Sequence, residues 1–301
     1  MDTTTPAGHV LRAPTAGDAE AVAELLRARD VADLGEAEVT LTDVRSEWEL
    51  CDLERDAWVV EDASVALAAY AIVTGADMLV AVHPGSVGRG LGTALRLAAE
   101  RQARARGLRV VRQFVPTANT AARIVLVEAG WWPVRHYFRM ELELSEAPPP
   151  PPVLVRTFVE ERDTEEVWHL VQGAYTGVEG HLPQSLEGWR ATGMDKPGWD
   201  PELWLLLHDA KGIVGVALGE KGGSGQKRVG LITTLAVAHR ARGEGNGLAL
   251  LLLLLDAFKR KRLRYAEATV HGRTAAAARL FESGGMTPAR RTERWEKVLG
   301  V

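Results

Sequence analysis

Cysteine is nearly absent from this chain. Cys51 stands alone among 301 residues, so no disulfide can form within it, and its composition suits a reducing interior. No Cys–His pairing accompanies Cys51, which reads as a small core or surface residue rather than a nucleophile. The histidines show no metal-ligand spacing, so no metal is expected. Long apolar runs are missing too. The longest spans 248–255, well short of the roughly 18 residues that cross a bilayer. The first residues are polar, without the basic and apolar regions of a secretion signal, and a cytoplasmic protein with no membrane attachment is expected. There is no excess of positive charge: the formal net charge is −4, with no basic face and no basic–aromatic interleaving, which disfavours a nucleic-acid partner.

What is present is a duplication. Pro148 to Pro152 form an unbroken proline run, a stiff spacer that neither pairs in a sheet nor continues a helix. It separates residues 1–147 from 153–301, each about the size of one domain. Both halves open on a strand-like segment, at 9–13 and 153–158. Thr15 and Asp18 are cap-type residues before a helix over 21–29, and Asp163 and Glu166 have capping-box spacing before one over 167–173. Apolar β-type runs follow, and the turn at Asp209 to Gly212 predicts an antiparallel hairpin.

Each half then runs strand, glycine turn, helix, strand, alanine-rich helix, glycine turn. The first glycine turn occupies 82–92 and the other 237–247, followed by helices over 93–106 and 248–261. Strands are expected at 110–115 and 265–270, and further helices at 120–129 and 274–283. Taking Gly90 and Gly243 as counterparts, the distances to the Gly130-Trp131 and Gly285-Met286 turns are 40 and 42 residues. A strand that turns sharply into a helix leaves N–H groups unpaired, the helix dipole adds partial positive charge there, and glycine lets a ligand approach the backbone. Phosphate is the natural guest. Arg89 and Arg242 would add full charges to these cradles.

At these residues the chain resembles the GNAT N-acetyltransferase superfamily. The second half carries the family's loop as Arg240-Ala-Arg-Gly243-Glu-Gly245, and the first as Val87-Gly-Arg-Gly90-Leu-Gly92, with Val where Arg or Gln is usual. The segments after the fifth strand, Asn119-Thr-Ala-Ala and Thr274-Ala-Ala-Ala, also match. The likeness covers nearly the whole chain twice, an arrangement similar to mycothiol synthase-like proteins. It implies a mixed-sheet α/β fold in two tandem domains, acetyl-CoA or another acyl-CoA as co-substrate, and a small-molecule amine as acceptor, in a monomer or homodimer. It implies that Val87, Gly88, Arg89, Gly90, Leu91, Gly92 and Thr93 hold the pyrophosphate in one half, and Arg240, Arg242, Gly243, Glu244, Gly245, Asn246 and Gly247 in the other. The backbones of Ala81 and Val82, and of Leu235, Ala236 and Val237, would pair with pantetheine in a splay between the fourth and fifth strands.

Direct acyl transfer needs a base for the amine and a donor for the thioester oxygen, and an acid helps the thiolate leave. The family often supplies a tyrosine as acid. The matching positions here are Leu126 and Phe281, neither of which donates a proton. Candidate bases are Asp77, which also reads as a strand-edge turn residue, and Glu179 and His181, which also read as a solvated loop. Nine tryptophans, Trp131, Trp132, Trp189, Trp199 and Trp204 among them, could line an acceptor pocket, but core packing explains any one of them better. His83 reads as a turn residue. The basic run from Lys259 to Arg264 could reach an anion, or simply offset a helix C-terminus. The fuller loop favours the C-terminal half as the catalytic one. The alternative is a non-catalytic acyl-CoA-binding or regulatory protein. A dinucleotide or P-loop enzyme is disfavoured, since Gly-x-Gly-x-x-Gly and Gly-Lys-Ser/Thr are both absent at the turns.

Overall fold

The structure is a computed structural model that describes residues 9–37, 39–62, 65–177, 183–195, 199–222, 228–271 and 275–300. In chain order the elements are β1 (Val10–Arg12), α1 (Ala19–Leu34), α2 (Leu41–Trp48), α3 (Leu53–Asp56), β2 (Ala57–Asp62), β3 (Val65–Thr74), β4 (Asp77–Val82), α4 (Leu91–Ala105), β5 (Val110–Pro116), α5 (Thr120–Glu128) and β6 (Trp132–Glu143). The series then repeats as β7 (Val155–Thr157), α6 (Glu160–Tyr175), α7 (Leu186–Gly193), β8 (Trp204–Asp209), β9 (Gly212–Gly222), β10 (Val229–Val237), α8 (Asn246–Arg260), β11 (Tyr265–His271), α9 (Ala275–Ser283) and β12 (Thr287–Val298).

The chain forms two compact units: residues 1–137 with 290–301, and residues 138–289. In the first, β1, β2, β3 and β4 pair antiparallel in succession, β5 joins parallel to β4, and the last strand of the chain, β12, pairs antiparallel with β5 from Thr292↔Pro116 to Val298↔Val110. In the second, the order is β7, β8, β9, β10, β11, then β6. Each unit therefore takes its sixth strand from the other side of the proline run. The proline run separates the sequence repeats, whereas the compact units exchange their last strands across it.

Each unit is a sheet covered on both faces, because strand side chains alternate and both sets are apolar. In the first unit, Val22, Leu25 and Leu26 of α1 and Trp48 of α2 cover Val59, Tyr70 and Ile72. On the opposite face Leu91 and Leu95 of α4 pack on Val60, Ala69 and Ala71. In the second, Trp204 and Leu206 face α6, while Leu205 and Leu207 face α8. Leu250, Leu251, Leu254 and Leu255 of α8 are all fully buried. At about 2 kcal/mol for each buried leucine, that row is a principal support of the unit.

Both first helices are locked by an Arg–Asp fork. Arg12 donates to both oxygens of Asp18 at 2.7 Å, and Arg156 to both of Asp163 at 2.5 and 2.8 Å. Arg12 holds the Asp18 carboxyl well below the usual carboxylate range. Burial works against the charge of Asp163, but Arg156, Arg162 and the Val159 N–H outweigh it. The capping expected at Asp163 is corrected by this geometry: α6 begins three residues earlier, at Glu160, and Asp163 lies inside its first turn, accepting from the Val159 N–H at 2.8 Å. The hairpin at Asp209↔Gly212 is present.

Candidate active site

The two glycine turns share one backbone shape. Gly88 and Gly90 have φ of 83° and 78°, and Gly243 and Gly245 have φ of 81° and 83°, a left-handed conformation that side chains resist. Gly90 and Gly245 are the N-caps of helices of 15 residues each. The true counterparts are thus Gly90 and Gly245, 155 residues apart, and the expected pairing of Gly90 with Gly243 is two residues out. With this register both distances to the Gly130 and Gly285 turns are 40 residues. The counterpart of Arg240 is then Gly85 rather than Val87.

The arginines of the turns are already engaged. Arg89 donates to Asp62 at 2.7 Å and to the Gly85 carbonyl. Arg240 pairs with Asp209 at 3.1 Å. Arg242 donates to the carbonyls of Val237 at 3.0 Å and Ala174 at 3.1 Å. The full charge expected from Arg89 is therefore offset by Asp62, which leaves backbone N–H groups and the helix N-terminus as the anion-binding features. His83 is a turn residue as expected: its Nδ1 accepts from the Gly85 N–H at 3.2 Å.

Beside the first turn the sheet opens. β4 and β5 pair at Asp77↔Arg112 and then part. The gap is a cleft of about 570 Å3 walled by Leu79 to Val82 on one side and Gln113 to Pro116 on the other, with the glycine turn at one end and Leu26, Asp30 and Asp33 of α1 above. Which backbone groups face it follows from the strand register. The His83 N–H bonds to the Ala68 carbonyl at 2.8 Å, and Val82 lies opposite Ala69. Antiparallel pairs alternate, so the N–H and C=O of Val80 and Val82 turn away from β3 toward β5. Val80 is a residue the sequence reading missed; its signal was the two-residue step from Val82. On the β5 wall Gln113 is buried, and its Oε1 has no hydrogen-bond partner among the described residues. Leu126, at the position of the absent tyrosine, contributes an apolar wall.

The second unit makes a different use of the same positions. β10 pairs parallel with β11 from Val229 to Ile232, and a bulge follows between Ile232 and Thr234. The Ala238 N–H bonds to Val214, and Val237 lies opposite Gly215, so Leu235 and Val237 turn away from β9 as Val80 and Val82 turn from β3. Here two of those groups have partners within the unit. The Leu235 N–H donates to the hydroxyl of Tyr175 at the end of α6, and the Val237 carbonyl accepts from Arg242. Burial raises the Tyr175 pKa, so the phenol stays neutral.

The profile of the Acetyltransferase (GNAT) family matches residues 20–131 and again 164–286. The chain belongs to the GNAT acetyltransferase family. Among solved structures it is similar to a GCN5-related N-acetyltransferase from Sphaerobacter thermophilus, at 30% identity and TM-score 0.83, covering 99% of this chain and 98% of that one. It shares its fold with a tandem GNAT protein from the clavulanic acid biosynthesis pathway, at 17% identity and TM-score 0.71, covering 97% and 99%. It also shares it with a glucosamine N-acetyltransferase region of a fungal multi-domain β-N-acetylglucosaminidase, at 14% identity and TM-score 0.69, covering 97% of this chain and 38% of that one. No curated protein matches the chain. Members of the family typically use an acyl-CoA.

Of the candidate bases, Asp77 lies within the described residues. Asp77 sits where β4 and β5 still pair, half exposed and 3.0 Å from Arg112, outside the cleft lining. Glu179 and His181 lie outside the described residues. The tryptophans are mainly core: Trp189, Trp199 and Trp204 cluster with Phe158, and Trp131 donates to Glu100 at 2.9 Å. Only Trp132 of the five named is strongly exposed. Burial pushes the Cys51 thiol up to about 11, away from nucleophilic use. Most of the basic run is paired. Arg260 meets Asp256, Lys261 meets Asp200 and Glu202, Arg264 meets Glu143, and Lys259 bonds to the Ala147 carbonyl. The run ends α8 about 20 Å from its glycine turn, so it serves the helix C-terminus rather than the cradle. Among the described residues no helix is long and apolar enough to cross a membrane, and no cluster of metal-ligating side chains occurs.

Proposed function

We propose that the protein transfers an acyl group, most simply acetyl, from an acyl-CoA to the amine of a small molecule, and that the N-terminal unit performs the reaction. The observation that carries this reading is the cleft between β4 and β5, with Val80 and Val82 facing it and the Gly88–Gly90 turn at its end. Its volume is that of a ligand site. Its chemistry fits an acyl-CoA: a helix N-terminus for pyrophosphate, strand-edge amides for pantetheine, apolar walls, and a buried acceptor in Gln113. The Val80 N–H is a donor for a thioester oxygen that gains charge. The fuller sequence motif of the C-terminal half favoured that half. Its Leu235 N–H, however, already bonds to Tyr175, and Arg242 bridges the turn to the end of α6. These contacts support a structural or regulatory role for the second unit.

Leu126 gives the leaving thiolate no proton, and thiolates leave readily without one. The test is thiol release from acetyl-CoA in the presence of primary amines. Amine-dependent release is expected. Tight acetyl-CoA binding with no release for any amine would instead favour a non-catalytic acyl-CoA sensor.

A further inference from the structure

Residue Asp30 has no counterpart in the family loop and belongs to no motif. It lies on a helical line of α1. Val22 and Leu26 lie four residues apart with their side chains buried against the sheet, and Asp30 is the next position on that line. Leu26 and Asp30 both line the cleft. The second unit shows what this position touches. Counting from the Arg–Asp fork, Val167, Val171 and Tyr175 of α6 match Val22, Leu26 and Asp30, since each trio follows its fork aspartate, Asp163 or Asp18, at the same spacing. Tyr175 reaches the Leu235 N–H, and the match of Leu235 is Val80. The same helical position therefore places a phenol on the strand-edge amide in one unit, and a carboxyl in the lining of the cleft that Val80 also lines in the other.

We infer that Asp30 is the catalytic base of acyl transfer in the N-terminal unit. This rests on the function proposed above. The amine nitrogen attacks the thioester carbon, a C–N bond forms and the C–S bond breaks. The Asp30 carboxylate takes the proton that the nitrogen must lose, and the sulfur leaves with its electron pair as thiolate, protonated from solvent. Asp30 later returns its proton to solvent. Several neighbours set its charge. The Val39 N–H donates to Asp30 Oδ2 at 3.1 Å. Arg29 and Asp33 flank it on α1 and pair with each other, Asn119 of the α5 cap holds Asp33 at 2.8 Å, and Arg290 faces it from β12. Burial dominates and raises the Asp30 pKa, which makes the carboxylate a stronger proton acceptor than an exposed aspartate.

The experiment follows thiol release from acetyl-CoA by the wild type, Asp30→Asn and Asp30→Glu. Ethanolamine, putrescine and glucosamine serve as protonated amines, and hydroxylamine as a nucleophile already neutral near pH 7. For whichever amines the wild type acetylates, Asp30→Asn is expected to lower kcat/KM by roughly 100-fold and to abolish the acid limb of its pH profile. The loss with hydroxylamine is expected to be under about tenfold, and Asp30→Glu should recover part of the rate. The acetyl-CoA dissociation constant, unchanged in Asp30→Asn, shows that the variant is folded. Equal losses with both kinds of nucleophile, or full activity in Asp30→Asn, would overturn the inference while leaving the proposed function intact. Failure of the wild type to bind acetyl-CoA would remove both.

Discussion

The two units place opposite chemistry on one skeleton. At the positions that face the splay, the first unit presents Val80 and Val82 to a cleft, and the second hands the matching Leu235 and Val237 to Tyr175 and Arg242. Beneath the sheet the contrast recurs. Arg96 and Glu100 of α4 form a buried ion pair at 2.5 Å, joined by Trp131 and Lys297, where α8 has Leu251 and Leu255. At the helix C-termini, Gly107 with φ of 76° is matched by Arg262 with φ of 59°. A duplicated fold keeps its backbone while one copy spends polar groups on the interior and the other fills the same places with apolar or self-satisfying side chains. The glycine turn has the same backbone shape in both copies, so its presence alone does not report an active site.

The largest expected contrast between the units separates the two turns. Gly92 and Gly247 occupy matching places in the first helical turn, and a carboxylate there repels a phosphate. Gly92→Glu should weaken acetyl-CoA binding by about 100-fold, or about 2.7 kcal/mol, and Gly247→Glu should leave it nearly unchanged, as read by titration calorimetry. Equal effects would erase the distinction between the units.

A smaller contrast is expected in stability. Glu100→Gln strips a buried network of its charge and should cost about 3 kcal/mol in denaturant unfolding at pH 7. Leu255→Ala should cost a similar amount, about 3 kcal/mol, by leaving a cavity. The pH dependence tells them apart. Burial opposes the charge on Glu100, but Lys297, Trp131 and Arg96 outweigh it and hold its pKa below the ordinary value of 4.5. A depressed carboxyl contributes stability above its unfolded pKa and loses it as pH falls through the folded one. The gap between wild type and Glu100→Gln should therefore narrow below about pH 4.5, while that for Leu255→Ala persists.

The smallest effect concerns the helix ends. Both close with the same pattern: the Gly107 N–H bonds to Arg104 and Leu108 to Ala103, as Arg262 bonds to Lys259 and Leu263 to Phe258. Only Gly107 adopts the left-handed turn without strain. Arg262→Gly should raise stability by about 1 kcal/mol, and Gly107→Arg should lower it by about as much. Thermal unfolding of the pair checks this.

Much of the fold was legible because it is local. The doubled glycine turns, the hairpin at Asp209↔Gly212 and the helices behind each turn follow from turn chemistry and periodicity. The short helices α2, α3 and α7 were not, since eight or fewer residues show little period. The strand exchange was hidden because β12 pairs with β5 across most of the chain, and no local pattern specifies a partner so distant. At the site, the glycine loops were readable, but the fate of their arginines depended on Asp62 and Ala174, remote in sequence. Asp30 had one faint signal: a carboxyl where the apolar line of Val22 and Leu26 should continue.

The most direct measurement is the structure of the protein with acetyl-CoA bound. The expected result is one molecule per chain, its pantetheine between β4 and β5, its pyrophosphate on the Gly88–Gly90 turn, and its thioester beside Val80 and Asp30. Occupancy confined to the edge of Leu235 and Val237, with Tyr175 displaced, would contradict the assignment of the reaction to the N-terminal unit.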